Sequence, residues 1–222
     1  SGPTQAVLSW SVAVNGAREE VRFSDQFENE TRLVSLDPGS QLISIEAEGE
    51  IETNDTAGIS GSHRGFAPLW LFQQETPLTH AGDRVRELAA SVNGGSEIDR
   101  LHRLMNAITG RVAYTLGATG VETVAEEALA QGSGVCQDHA HIFAAAARLL
   151  GFPARYVSGY LMMNDRINQV ASHAWAEAHV PSLGWVSFDA SNGISPDGRY
   201  VRVATGRDYR DAMPVSGIRL GL

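Results

Sequence analysis

Residues 132–153 constrain this chain more than any other stretch. Gly132-Ser133-Gly134-Val135 runs into Cys136-Gln137-Asp138-His139-Ala140-His141, and Gly151-Phe152-Pro153 closes the run. Between those ends, small or apolar residues recur at Ala140, Phe143, Ala144, Ala147 and Leu150, the spacing of one stripe of an α-helix. Gly132 and Gly134 supply permissive backbone for a sharp approach, and Gly151 with Pro153 is ordinary C-terminal punctuation. The spacing therefore predicts a helix starting at Cys136, the only cysteine in 222 residues. A helix start offers unpaired N–H groups and the positive end of the dipole, which favour a thiolate. Position alone leaves two readings open: a nucleophile, or a buried apolar side chain, the common fate of a free cysteine.

Downstream, His173-Ala174-Trp175-Ala176-Glu177-Ala178-His179-Val180 alternates strictly, and so does Trp185-Val186-Ser187-Phe188-Asp189-Ala190. Period two predicts strands, and Pro181-Ser182-Leu183-Gly184 between them predicts a hairpin. With Ala178 opposite Gly184 and residues 179–183 as the loop, His173 stands directly across from Asp189 on one face. Opposed Cβ atoms lie about 4.5–5.5 Å apart. A one-residue slip would reverse the face, and a two-residue slip would make the contact diagonal and looser. A carboxylate beside an imidazole fixes its tautomer and stabilises the imidazolium, leaving the other ring nitrogen to take a thiol proton. Cys136, His173 and Asp189 are thus candidate nucleophile, base and orienting group.

The remainder of the chain bounds the possibilities. Its length suits one domain with an appendage, and 43% hydrophobic with 19% charged residues describes an ordinary globular chain. A net charge of −9 argues against nucleic acid as a partner. No apolar run approaches the roughly 20 residues of a membrane span. One cysteine without a disulfide fits a reducing compartment, so a cytoplasmic location is the expectation. Strands are predicted over 6–14, 20–23, 30–36 and 41–51, with a polar linker over 53–65. Helices are predicted over 83–92 and from a capping box at Ser96 and Asp99, with Ile98, Leu101, Met105 and Ile108 inward. Thr123 and Glu126 read as the box of a short helix ending near Gly132. Asp138, His139 and His141 crowd the turn after Cys136, but the paired spacing of a metal site is missing, so neither metal nor cofactor is expected. The first oxyanion donor is the Cys136 N–H. Tyr114 is a core tyrosine or a side-chain oxyanion donor, and Trp175 and Trp185 are groove walls or cross-strand packing. Glu177 and His179 read as solvated or structural.

Gly132–His141, Gly151–Tyr160, His173-Ala174-Trp175 and Gly184–Asp189, in that order, resemble the bacterial transglutaminase-like cysteine peptidase family. Gly206-Arg207-Asp208-Tyr209-Arg210-Asp211, with Pro214 and Gly217, is similar to its C-terminal signature, so the resemblance covers roughly residues 80–220. It implies an α+β fold with a papain-like, transglutaminase-like core, in which the nucleophile helix packs on an antiparallel sheet. It also implies Cys136 as nucleophile, His173 as base and Asp189 as its partner, with Asp208 and Tyr209 bordering the cleft. Residues 1–60 resemble part of the β-rich module that precedes such cores, lacking its first strands, which gives a division into 1–60 and 61–222. There Asp25-Gln26-Phe27-Glu28-Asn29 stands where the module usually reads Asp-Xaa-Phe-Gly-Asn. The implied activity is cleavage of a peptide or protein amide through a thioester, without a cofactor. Protein-glutamine transglutamination and a non-catalytic binding module on the same fold are the alternatives.

Overall fold

The computed structural model describes residues 2–163 and 172–217. The four alternating N-terminal stretches form β1 (Gln5–Asn15), β2 (Ala17–Ser24), β3 (Glu30–Leu36) and β4 (Ser44–Thr53). β1 pairs antiparallel with β4, and β2 with β3. Then follow β5 (Ile59–Gly61), α1 (Asp83–Ala90), α2 (Glu97–Arg111), β6 (Ala113–Tyr114), α3 (Ala125–Gln131), β7 (Ser133–Gly134) and α4 (Cys136–Leu149). The chain continues through β8 (Ala154–Leu161), β9 (His173–Val180), β10 (Gly184–Phe188), β11 (Tyr200–Gly206) and α5 (Tyr209–Ala212). The main sheet is antiparallel in the order β11-β8-β9-β10-β5. With its helices on one face, the fold is α+β. No described helix is long and apolar enough to cross a membrane.

α4 sits at the centre of the main core. The spacing predicts one inward stripe, yet residues 138–148 are buried all round. The reason is that α1, α2 and α3 flank the helix while β8 and β9 lie beneath it. Ala144 and Ala147 of the helix and Ala174, Ala176 and Ala178 of β9 belong to this core, and such small side chains let helix and sheet approach closely. Phe143 fills the remaining space by stacking on Phe188, ring centroids 4.9 Å apart.

Two local expectations change. Ser96 and Asp99 form the predicted capping box of α2. Glu126 does not cap α3: its carboxylate accepts from the N–H groups of Arg84 (2.9 Å) and Val85 (3.1 Å), capping the neighbouring α1. The stretch 53–65, read as a linker, contains β5, which pairs with β10 and extends the sheet.

The N-terminal hairpins grip the opposite edge of that sheet. The side-chain amide of Gln5 accepts from Arg202 N (2.8 Å) and donates to Arg202 O (2.9 Å). Asn29 does the same at Thr205, at 2.9 and 2.8 Å. Both amides imitate a neighbouring strand and so satisfy the exposed edge of β11. Asn29 is held by the Asp25 carboxylate, and Phe27 from the same turn packs against Phe72 and Trp185. Glu28, at the position where glycine is usual, adopts a φ of +67°.

Candidate active site

Short parallel pairing of β6 with β7 sets Ala113 beside Ser133 and Tyr114 beside Gly134, two residues before Cys136. The Asp138 carboxylate accepts from Val135 N (2.7 Å) and from the Thr119 hydroxyl (2.6 Å), which ties down the start of α4. Gly134 is required here, since a Cβ would fall 2.7 Å from Asp138 Oδ2. His139 places its ring nitrogens 2.8 Å from Val135 O and 3.0 Å from Val112 O. Cys136, at the first helical position, is left half-buried.

The hairpin differs from the predicted register by two residues. Gly184 pairs with Val180 and Phe188 with Ala176, so the loop is 181–183 and His173 is diagonal to Asp189, not opposite it. Gly184 makes the tighter turn possible: its φ is +79°, and a Cβ would lie 2.2 Å from Gly61 O on β5. The diagonal contact is nevertheless close, with His173 Nε2 donating to Asp189 Oδ2 at 2.6 Å. Asp189 has left the strand, and a turn in which Gly193 N bonds back to Asp189 O (2.8 Å) swings its carboxylate toward the imidazole.

Asp189 is fully buried. Its Oδ1 accepts from Ser191 N, Ser191 Oγ and Asn192 N, and its Oδ2 from His173 Nε2, Asn192 Nδ2 (2.7 Å) and Tyr200 Oη (2.8 Å). Burial alone would raise its pKa, but these donors, His173 foremost, hold it down to about 2. For His173, burial disfavours the imidazolium. Hydrogen bonds and charge from Asp189 and Cys136 overcome that and raise it to about 9. The carboxylate is hydrogen-bonded to the imidazole, and both it and the Cys136 thiol raise the pKa of the ring. Since Asp189 occupies Nε2, Nδ1 is the nitrogen left for Cys136.

Other sequence candidates separate here. Tyr114 is 52% exposed and stands beside the site: burial and charge at Cys136 and Asp189 raise its hydroxyl above the ordinary value. Trp175 packs with Tyr200, rings edge to face at 5.4 Å, and lies 6.2 Å from the His173 ring. Trp185 is buried elsewhere, against Phe27 and Phe72 with the Arg155 guanidinium over its ring. Glu177 is buried rather than solvated, bonded to Arg155, Arg202, Ser60 and Ser187. His141 accepts from Tyr209 N at 3.0 Å. Burial and then Arg148 push its pKa down to about 3, so it is neutral and holds α5 against α4. Asp208 caps α5 through Arg210 N. Tyr200, Ser191 and Asn192 are the contributors that sequence reasoning missed. Ser191 and Asn192 could have been found as turn residues directly after Asp189. Tyr200 belongs to no motif, and only β11 pairing brings it in.

Residues 86–190 match the family model of the transglutaminase-like superfamily core. An uncharacterized protein of Mycobacterium leprae is 39% identical over 160 residues, covering 67% of this chain and 54% of that protein. A protein-glutamine gamma-glutamyltransferase of Pseudomonas aeruginosa is 29% identical over 162 residues, covering 63% of this chain and 23% of that protein. The solved structure of a candidate cysteine protease from Cytophaga hutchinsonii aligns with a TM-score of 0.75 at 25% identity, covering 96% of this chain and 75% of that one. The chain spans about half the length of the mycobacterial relatives it matches. Through residues 86–190, this chain is thus similar to the core of the transglutaminase-like superfamily.

Proposed function

We propose that the chain is a thiol acyl-transfer enzyme that cleaves peptide or protein amides through a thioester on Cys136. The observation that carries this reading is one imidazole hydrogen-bonded to a buried carboxylate, with its pKa raised by that carboxylate and by the half-buried thiol. In this mechanism the Cys136 thiol passes its proton to His173 Nδ1 and the thiolate attacks the amide carbon. The oxyanion is received by the Cys136 N–H at the helix start, with the Tyr114 hydroxyl as second donor. His173 then returns the proton to the leaving amine, and Asp189 stabilises the imidazolium while it exists. Water resolves the thioester with His173 as base. Residues 1–60 serve as a module docked on β11, and 61–222 as the catalytic part.

Transfer to an external amine is a second reading, favoured by one composition feature. All 17 basic residues are arginine, so the chain has no lysine amine to intercept its own thioester. A peptide-library digest read by mass spectrometry, with and without a primary amine, separates the outcomes. Cleavage is expected, and amine incorporation at glutamine would instead make it a transferase. If the parent and Cys136→Ala behave alike in both arms, the site is not catalytic. Independently, iodoacetamide should label Cys136 stoichiometrically at pH 6 and fail to do so in His173→Ala. Ordinary free-thiol reactivity would sink the mechanism.

A further inference from the structure

The carboxylate oxygen that binds the imidazole is shared. Asp189 Oδ2 accepts from His173 Nε2 at 2.6 Å, from Asn192 Nδ2 at 2.7 Å and from Tyr200 Oη at 2.8 Å. Asn192 belongs to the turn that Asp189 itself begins, whereas Tyr200 comes from β11 on the far edge of the sheet. Its ring packs against both aromatic groups of the site, 5.9 Å from the His173 ring and 5.4 Å from Trp175. The phenol is buried, and β11 is clamped by Gln5 two residues further along, so the hydroxyl has little freedom to look elsewhere. We propose that Tyr200 is a positioning residue for the His173 imidazole, acting through the Asp189 oxygen that the two side chains share. This rests on the reading of Cys136, His173 and Asp189 as a working triad.

The Tyr200 ring packs against the imidazole, centroids 5.9 Å apart, and limits its movement. The hydroxyl draws charge from Oδ2, so it moderates the hold of the carboxylate on the imidazolium and leaves His173 readier to give its proton back. Tyr200 stays a neutral donor, because burial and the Asp189 charge raise its pKa far above neutrality. The groups that face His173 are Asp189 after β10, Cys136 on α4 and Tyr200 on β11. Tyr114 on β6 faces the same pair, Cys136 and Asp189, and Arg199 acts on Tyr200.

The test is Tyr200→Phe, which keeps the ring and removes the hydroxyl. Two readouts apply: the pH dependence of Cys136 alkylation by iodoacetamide, and titration of the His173 ring by carbon-edited NMR. The imidazolium limb should move up by roughly half a pH unit in the variant, since one donor no longer competes for the carboxylate. Site-specific 3-fluorotyrosine at position 200 makes a stronger donor without altering the packing, and should move the same limb down. A limb unmoved by either change, or a loss of rate that is equal at every pH, overturns the proposal, because loosened packing alone would do that. If the parent chain alkylates as an ordinary thiol with no imidazole limb, the triad reading itself has failed, and this is visible before any variant is made.

Discussion

Glu177 on β9 receives hydrogen bonds from all four other strands of the main sheet. Ser60 of β5 donates at 2.8 Å, Arg155 of β8 at 2.6 Å, Ser187 of β10 at 3.0 Å and Arg202 of β11 at 3.3 Å. Glu177→Gln keeps the volume and the hydroxyl contacts but removes the charge, leaving the Arg155 guanidinium buried without its counterion. Burial would raise the carboxyl, yet Arg155 and Arg202 pull it from its ordinary 4.5 to about 2. At about 1.4 kcal/mol per pH unit, that difference is worth roughly 3 kcal/mol. Breaking one partner out of a buried ion pair costs about 3–5 kcal/mol, a consistent size. Arg155 is itself held below its ordinary value by burial, against the attraction of Glu177, so the intact pair is worth less than its rupture costs. For a chain of this length about 2–4 °C is lost per kcal/mol, so Tm should fall by roughly 6–12 °C. Calorimetry at pH 7 measures this, with Glu177→Leu/Arg155→Leu as the comparison, expected to regain much of the loss. A fall below about 2 °C for Glu177→Gln would refute the claim that this carboxylate binds the sheet together.

Stability should decline on both sides of neutrality, for opposite reasons. Glu177 and His141 both have lowered values, so their contributions are present above 4.5 and 6.5 respectively. They are lost as pH falls toward about 2 and about 3. His173 is raised, so its contribution is complete below 6.5 and disappears as pH rises through about 9. Urea midpoints across pH should show both limbs, and the alkaline one should vanish in His173→Ala. Glu28→Gly relieves a left-handed backbone at φ +67° and should stabilise by up to about 1 kcal/mol in urea unfolding; a loss would mean that the Glu28 side chain matters more than its backbone. Gly134→Ala drives a Cβ to within 2.7 Å of Asp138 Oδ2. It should slow Cys136 alkylation at pH 6 more than tenfold on the scale of a 1.4 kcal/mol effect, and a rate equal to the parent would show that the start of α4 tolerates the shift.

Much of the site could be read from residue order. Helix periodicity with glycine punctuation placed the start of α4 at Cys136, and strict alternation placed β9 and β10 with His173 at one strand end. These are local signals, governed by backbone geometry within one or two turns. The register of that hairpin was not local. It depended on Gly184 taking a left-handed conformation against the Gly61 carbonyl, and Gly61 belongs to a strand whose polar, glycine-rich surroundings read as a linker. Glu126 shows the same division: its spacing from Thr123 fits a capping box, but a neighbouring helix start competed for the carboxylate and won.

The sequence by itself determined which side chains could do chemistry, because a lone cysteine at a helix start and a histidine and aspartate in alternating strands are set by short-range periodicity. Tertiary structure alone decided how they meet. It turned Asp189 out of its strand toward His173, brought Tyr200 across the sheet to the same oxygen, and buried Glu177 among four other strands. Those outcomes depend on contacts between residues far apart in the chain. The physical reason is that a buried carboxylate must find donors wherever the packed sheet supplies them, and no spacing along the chain records where that is.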